Sequence, residues 1–291
     1  MHYHLIAALA ALAAVPAHAQ STGDPLPEDR ADKPAASEPI TISGSATITS
    51  DYRFRGVSQT DRGMAVQGGV TATHESGVYA GAWGSNLAGW GTFGGANMEL
   101  DLFAGVKVPV GAGQLDTGLV WYLYPRGADN TDFGELYAKL SGNVGPLGLT
   151  AGVAYAPKQE ALGKWFLTGA NAAAGRPDNP GDKEDNLYLS GDATYALAGT
   201  PVTLKAHIGY SDGNSGLGPN GTSLAPTGTY FDWLLGADVT PVKGLTLSIA
   251  YVDTDIGNAE SAYLQPNFSR GQDGIGSIAG AAVVMSATTA F

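Results

Sequence analysis

From Ile40 onward, apolar and polar residues alternate with a period of two. Ile40, Ile42, Gly44, Ala46, Ile48, Ser50, Tyr52 and Phe54 fall on one face; Thr41, Ser43, Ser45, Thr47, Thr49, Asp51, Arg53 and Arg55 fall on the other. A helix repeats every 3.6 residues and cannot sort side chains in this way, whereas a strand does so at every step. The split returns in 98–108, where Met98, Leu100, Leu102, Ala104, Val106 and Val108 oppose Glu99, Asp101, Phe103 and Lys107. It returns again in 114–124, with Leu115, Leu119, Trp121 and Leu123 opposite Asp116, Val120, Tyr122 and Tyr124. Further copies run near 133–144, 147–156, 186–197, 201–211, 229–240 and 244–254. Two weaker, Gly- and Ala-rich copies cover 64–74 and 77–86, and the last is 278–291, so twelve strands are predicted.

The connections sort these strands into an architecture. Glu75-Ser76-Gly77, Pro109 to Gly113, Gly145-Pro146, Ala198-Gly199-Thr200 and Pro241 to Gly244 are tight turns. The connections between them, near 56–63, 87–97, 125–132, 157–185, 212–228 and 255–277, are longer. Strict alternation of short and long is the asymmetry of a transmembrane antiparallel β-barrel with short periplasmic turns and long external loops. A β-sandwich has no reason to sort its loops by length. In lipid the sheet must close, because every backbone polar group there needs a partner. Tyr and Trp cluster at predicted strand ends (Trp121 to Tyr124, Tyr155, Tyr195, Tyr210, Tyr230, Trp233, Tyr251, with Phe231 beside them), which suits the headgroup interface.

Composition narrows the chemistry. The absence of cysteine removes disulfides, thiolate metal sites and Cys nucleophiles together. A formal net charge of −12 leaves no basic stripe for nucleic acid. At the N-terminus, Leu5 to Val15 is an apolar run too short to span a bilayer, followed by Ala17-His18-Ala19, a small-x-small cleavage pattern. Residues 1–19 are therefore expected to be a signal peptide, although its leading Met-His-Tyr-His carries no Lys or Arg. Residues 20–39, rich in Pro and in charge, read as a disordered periplasmic lead-in, and 40–291 as the barrel. The expected location is the outer membrane of a Gram-negative bacterium, with lipid and lipopolysaccharide around the barrel. Phe291 closes the last amphipathic strand, sharing a face with Ala281, Val283, Met285, Ala287 and Thr289. A terminal aromatic in that setting is the expected assembly signal for the barrel-assembly machinery.

Residues 45–86 carry a longer signature. Ser50 to Thr60 reads S-D-Y-R-F-R-G-x-S-Q-T and His74 to Asn86 reads H-E-S-G-x-Y-A-G-x-W-x-S-N, with E-L-D-L-F-A-G at Glu99 to Gly105. This resembles the opening pattern of the TorF family of outer-membrane porins. The resemblance covers mainly the first third of the barrel; the loops at 157–185 and 255–277 find no counterpart in it. It implies an outer-membrane barrel with a pore role and transfers no catalytic residue.

With the apolar face toward lipid, the polar face lines the lumen. The acidic lining is Asp51, Glu99, Asp101, Asp116, Glu135, Asp192, Asp232 and Asp238; the basic lining is Arg53, Arg55, Lys107, Lys139 and Lys205, with His207 and Tyr122 beside them. Eight acids against five bases predict a weak cation preference. Asp51, Arg53 and Arg55, near the external end of the first strand, are the expected constriction, since guanidinium groups there can pair with carboxylates or carry anions past. The bland alternative is that these groups merely brace the wall. Between narrow eight-stranded barrels filled by side chains and wide porins, twelve strands leave an open pore and a filled one both possible.

Other motifs weaken on inspection. Gly216-x-Gly218-x-x-Gly221 matches a dinucleotide fingerprint but no helix is expected to follow it, so chance explains it. His74-Glu75-Ser76 sits in a tight turn without a pocket; His207 and Ser211 share a strand face and Asp212 follows, but a Ser-His-acid site requires a geometry that spacing does not supply. The acidic run Asp178 to Asn186 lacks the spacing of a calcium loop. No histidine falls in a long loop. The expected function is thus passive diffusion of small hydrophilic solutes, without enzymatic activity, metal or cofactor. A closed structural or adhesive barrel is the alternative, and a rim enzyme a weaker one.

Overall fold

A computed structural model describes residues 39–225, 227–260 and 277–291. The expected signal segment and residues 20–38 of the lead-in lie outside the described residues, as does most of the 255–277 loop. In chain order the strands are β1 (Ile40–Thr49), β2 (Arg53–Phe54), β3 (Val57–Ser58), β4 (Ala65–His74), β5 (Val78–Asn86), β6 (Met98–Val110) and β7 (Gly113–Leu123). They continue as β8 (Phe133–Val144), β9 (Leu147–Gln159), β10 (Glu184–Ala196), β11 (Val202–Ser215), β12 (Thr227–Val242), β13 (Leu245–Thr254) and β14 (Ala282–Ala290).

Twelve of these strands form one closed antiparallel barrel; β2 and β3 pair only with each other. Each barrel strand meets its sequence neighbour, and β1 closes the sheet against β14 in the register Ser45↔Ala290 to Thr49↔Ser286. The closure continues into the last residue, because Gly44 and Phe291 exchange both backbone hydrogen bonds at 3.0 Å. Helix is nearly absent among the described residues: α1 (Gly169–Ala173) is a single short turn in the 160–183 connection. The alternation of short and long connections holds throughout, so the barrel has a short-turn end and a long-loop end.

The two faces of the wall follow the sequence period. Ile48, Val66, Leu136, Ile208, Leu235 and Met285 point outward and are all more than half exposed. A closed sheet wearing such an apolar belt is built for a lipid surround. Trp121, Tyr155, Tyr195, Phe231 and Tyr251 share that outer surface. Tyr124 and Tyr230, predicted at the interface with them, are instead buried inside the barrel, and so is Tyr122, which the alternation also placed in the lumen.

Inward glycines explain part of the composition. A Cβ on Gly105 would meet the Tyr79 ring, one on Gly118 the Tyr137 hydroxyl, and one on Gly209 the Tyr188 ring. Each of these three tyrosines therefore lies across a glycine, and the missing side chain is what lets a bulky ring fold flat against the wall.

One prediction fails in an informative way. The first strand does not run to Arg55: β1 stops at Thr49, and the chain leaves the wall where Ser50 bonds to Met285 at 2.8 Å. The segment 50–64 then turns into the lumen. Tyr52 and Phe54, predicted to face lipid, are buried there, as are Asp51, Arg53 and Arg55. The alternation is real, but it belongs to a two-residue hairpin, β2–β3, and not to a wall strand. Arg55 and Gly56 form its turn with φ of +48° and +80°, the positive values at both central residues that a type I′ turn requires. A Cβ on Gly56 would strike Thr254 and Asp232, so the tip packs against β12 and β13.

Candidate functional site

The inner hairpin divides the lumen. Near the short-turn end, inward Ser141, Thr150, Ser190, Asp192 and Thr194 are all partly exposed, as the lining of a water-filled vestibule would be. At the long-loop end, Glu99, Asp101, Glu135 and Asp232 are no more than 3% exposed. The lumen there is filled, by the hairpin and by an aromatic cluster that includes Tyr52, Phe54, Trp83, Phe93, Tyr122, Tyr124, Phe133 and Tyr188.

Arg55 is the centre of this closed half. Its Nη2 donates to Glu135 Oε1 at 2.6 Å and its Nη1 to Asn186 Oδ1 at 2.7 Å. Its guanidinium carbon lies 4.1 Å from the Tyr188 ring centre and 4.8 Å from that of Phe54. Tyr122 donates to the other oxygen of Glu135 at 3.2 Å, and Tyr230 donates to the Arg55 carbonyl at 3.1 Å. Burial alone would disfavour the charged guanidinium, but the Glu135 carboxylate outweighs it and holds the pKa above its ordinary value. A non-glycine residue with positive φ carries backbone strain, so these contacts hold the turn in a conformation that an arginine does not prefer.

Arg53 and Asp51 knit the hairpin to itself and to the approach to β14. Arg53 Nε donates to Asp51 Oδ2 at 2.6 Å, while Nη1 reaches the carbonyls of Gly56 (2.9 Å), Ile278 (2.9 Å) and Gly280 (3.0 Å). Asp51 Oδ1 accepts from Ser58 at 2.6 Å and from Thr60 at 3.3 Å. Tyr52 donates to Glu99 at 3.1 Å. Burial, then the negative charges of Glu99 and Asp101, push the Tyr52 phenol well above its ordinary pKa, so it stays a donor.

The remaining predicted lining residues lie on the inner wall in local sets. Lys205 Nζ pairs with Asp238 at 2.7 Å. His207 Nδ1 meets Asp192 at 2.6 Å and Nε2 meets the Tyr188 hydroxyl at 2.9 Å, with Asp232 at 3.3 Å. Tyr79 donates to Asp116 at 2.5 Å and also bonds Tyr137. Lys107 stands over the Tyr79 ring at 5.2 Å and Lys139 over the Tyr137 ring at 5.6 Å. The charges thus form braces across neighbouring strands rather than a ring of one sign.

Asn186, Tyr188, Tyr79 and Tyr137 are partners that the sequence reading passed over. Their inward parity was available, since Tyr188 is four positions from Asp192 on the same strand and Tyr137 two from Glu135. No metal-binding group of His, Asp and Glu occurs among the described residues.

Comparison with known proteins bears on the fold. Residues 33–286 match a family described as "Bacterial protein of unknown function (Gcw_chp)". No curated protein matches the chain. Among solved structures, the NanC porin superposes with a TM-score of 0.53 at 10% identity, covering 86% of this chain and 99% of that one. The KdgM porin gives 0.50 at 7% identity, again over 86% of this chain and 99% of its own. At such identities the shared property is the closed barrel itself.

Proposed function

This chain belongs to the Gcw_chp family of bacterial proteins, and we propose that it works as a porin-like channel of the outer membrane, passing small hydrophilic solutes through a lumen gated by the inner hairpin. The observation that carries this reading is the contrast between the faces of the closed sheet: an apolar belt outside and acidic, basic and other polar side chains inside. Lipid explains the first and water the second. The likeness of Ser50 to Thr60 and His74 to Asn86 to the TorF porins points the same way, and that finer assignment is part of the proposal. The long-loop end faces the cell exterior, and the C-terminal strand ending in Phe291 is the segment offered to the assembly machinery. Eight inward acids against five bases make the open state weakly cation-preferring. Diffusion, not catalysis, is the activity.

A second reading rests on the filled long-loop half. If the hairpin never withdraws, the protein is a structural barrel that conducts nothing. Planar-bilayer recording of the refolded protein, with heat-dependent gel mobility to certify the fold, separates the two. Discrete current steps with a reversal potential favouring cations support the channel; a folded barrel without current steps, in the native chain and in variants that release the hairpin, supports the structural reading.

A further inference from the structure

His207 stands on the inner wall with a carboxylate at each ring nitrogen. Nδ1 meets Asp192 Oδ1 at 2.6 Å, and Nε2 meets Asp232 Oδ1 at 3.3 Å and the Tyr188 hydroxyl at 2.9 Å. Tyr188 donates in turn to Asp232 Oδ2 at 3.0 Å. A neutral imidazole has one N–H and serves an acceptor on one side only, whereas an imidazolium serves both. The arrangement is therefore complete only when His207 carries both ring protons.

The same cluster lies under the hairpin tip. Asp232 is closed to solvent, and a Cβ on Gly56 would come within 2.8 Å of its Cβ. The Tyr188 ring carries the Arg55 guanidinium at 4.1 Å. Asp192, at the other nitrogen, is 42% exposed and opens to the vestibule. Contacts thus run without a break from vestibule water through His207 to the tip. The other cations nearby are committed elsewhere: Lys205, on the same strand, pairs with Asp238 of β12, and Arg55 pairs with Glu135 of β8. Lys139 of β8 acts on Asp192 and Asp116, on the vestibule side. Offsetting Asp232 falls to the imidazolium.

We propose that His207 is a proton-operated latch on the inner hairpin, closed while the ring carries both protons and loosened when it gives one up. On losing a proton, Nδ1 keeps its short bond to Asp192 and Nε2 becomes an acceptor. The Tyr188 hydroxyl then donates to Nε2, and Asp232 keeps its charge without the imidazolium beside it. Sealing that charge behind the hairpin is costly, and water admitted by withdrawal relieves it. The closed state holds the proton more tightly than the open one, so acid favours closure and release grows as pH rises. The latch deepens the gated-channel reading and rests on it for its effect on solute flow; the hairpin's movement is measured without current.

The chain has no cysteine, so Val57→Cys places a single thiol on β3 at a buried position. The refolded full barrel is labelled with iodoacetamide between about pH 6 and about pH 10, with His207 present and with His207→Gln in the same cysteine background, so that the thiol's own ionisation cancels. The rise in labelling rate with pH is expected to be about tenfold larger with His207 present than in His207→Gln. Asp192→Asn keeps the histidine and removes one carboxylate, and is expected to move the rise roughly one pH unit lower. It stands in for His207→Gln should that variant fail the gel-mobility check. An equal rise in both backgrounds, or an unshifted profile in a folded Asp192→Asn barrel, overturns the latch. A rise that depends on His207 in a barrel passing no current upholds the latch and sinks the channel reading. Current steps with labelling indifferent to His207 do the reverse.

Discussion

Arg55 and Glu135 meet across the lumen, Nη2 to Oε1 at 2.6 Å, with both side chains essentially closed to solvent. The arginine sits at the tip of a hairpin that has left the wall; the glutamate is part of the wall on β8. This pair ties the inner hairpin to the wall, and withdrawal of the hairpin would break it.

Removing one partner leaves the other charge buried, a change that costs about 3–5 kcal/mol where nothing relaxes. On the gating proposal, the hairpin relaxes by withdrawing. Arg55→Asn tolerates the left-handed turn while losing the guanidinium, and Glu135→Gln removes the charge from the other side. Both are expected to raise bilayer conductance several-fold while the barrel keeps its heat-dependent mobility. A folded Arg55→Asn barrel with native conductance would show that the hairpin is not the gate.

The glycines under inward tyrosines predict a second class of effect. Gly209→Ala places a methyl group where the Tyr188 ring lies, and Tyr188 also supports Arg55 and His207. Overpacking of this kind costs about 1–3 kcal/mol. The urea midpoint of the refolded barrel should fall accordingly. Gly142→Ala, an outward position near the short-turn end whose Cβ would have no neighbour closer than 3.6 Å, should leave it unchanged.

Closure of the barrel is expected to be sensitive to Gly44. Its Cβ would collide with the Phe291 ring, while its backbone forms the last two hydrogen bonds of the seam. Gly44→Val should therefore slow assembly, measured as the fraction of heat-modifiable species over time. Val66→Ile, on the same outer face away from the seam, should assemble like the native chain.

The 160–183 connection carries an acid-sensitive support. The Asp178 carboxylate accepts from the Leu167 amide at 2.7 Å and from the Asn171 side chain at 2.8 Å, and these bonds, the backbone one foremost, hold its pKa below the ordinary value. A depressed carboxylate pKa means that the support is complete above the unfolded value, near ~3.9, and is lost as pH falls through the lower folded value. Protease cleavage within 160–183 should be independent of pH above about 5 and rise only below about 4. Asp178→Asn should be cleaved more readily at neutral pH. Equal cleavage of the two proteins would dismiss the role.

How much of this was legible in the chain differs between wall and plug. Glu99, Asp101, Glu135, Lys205 and Asp238 could be assigned inward from parity alone, because a strand with lipid on one side has no freedom to exchange its faces. The turns at Glu75 to Gly77 and at Gly145-Pro146 were equally plain, since short connections between antiparallel neighbours need such residues. Phe291 could be placed on the outer face of the last strand by the same reasoning.

Asp51, Arg53 and Arg55 show where that reasoning ends. Their alternation continues that of β1 without a break, and a period of two reads the same in a wall strand and in a hairpin that has turned inward. Choosing between them takes the positive φ at Arg55, the tight packing at Gly56 that admits no Cβ and a partner eighty positions away in Glu135. By itself the sequence determined the closed sheet, its order and the facing of its walls, because these follow from neighbour-to-neighbour pairing and from alternation against lipid. Only the tertiary structure decided that the lumen is filled at one end and which charge meets which, because those contacts join segments that are distant in the chain and close only once the barrel surrounds them.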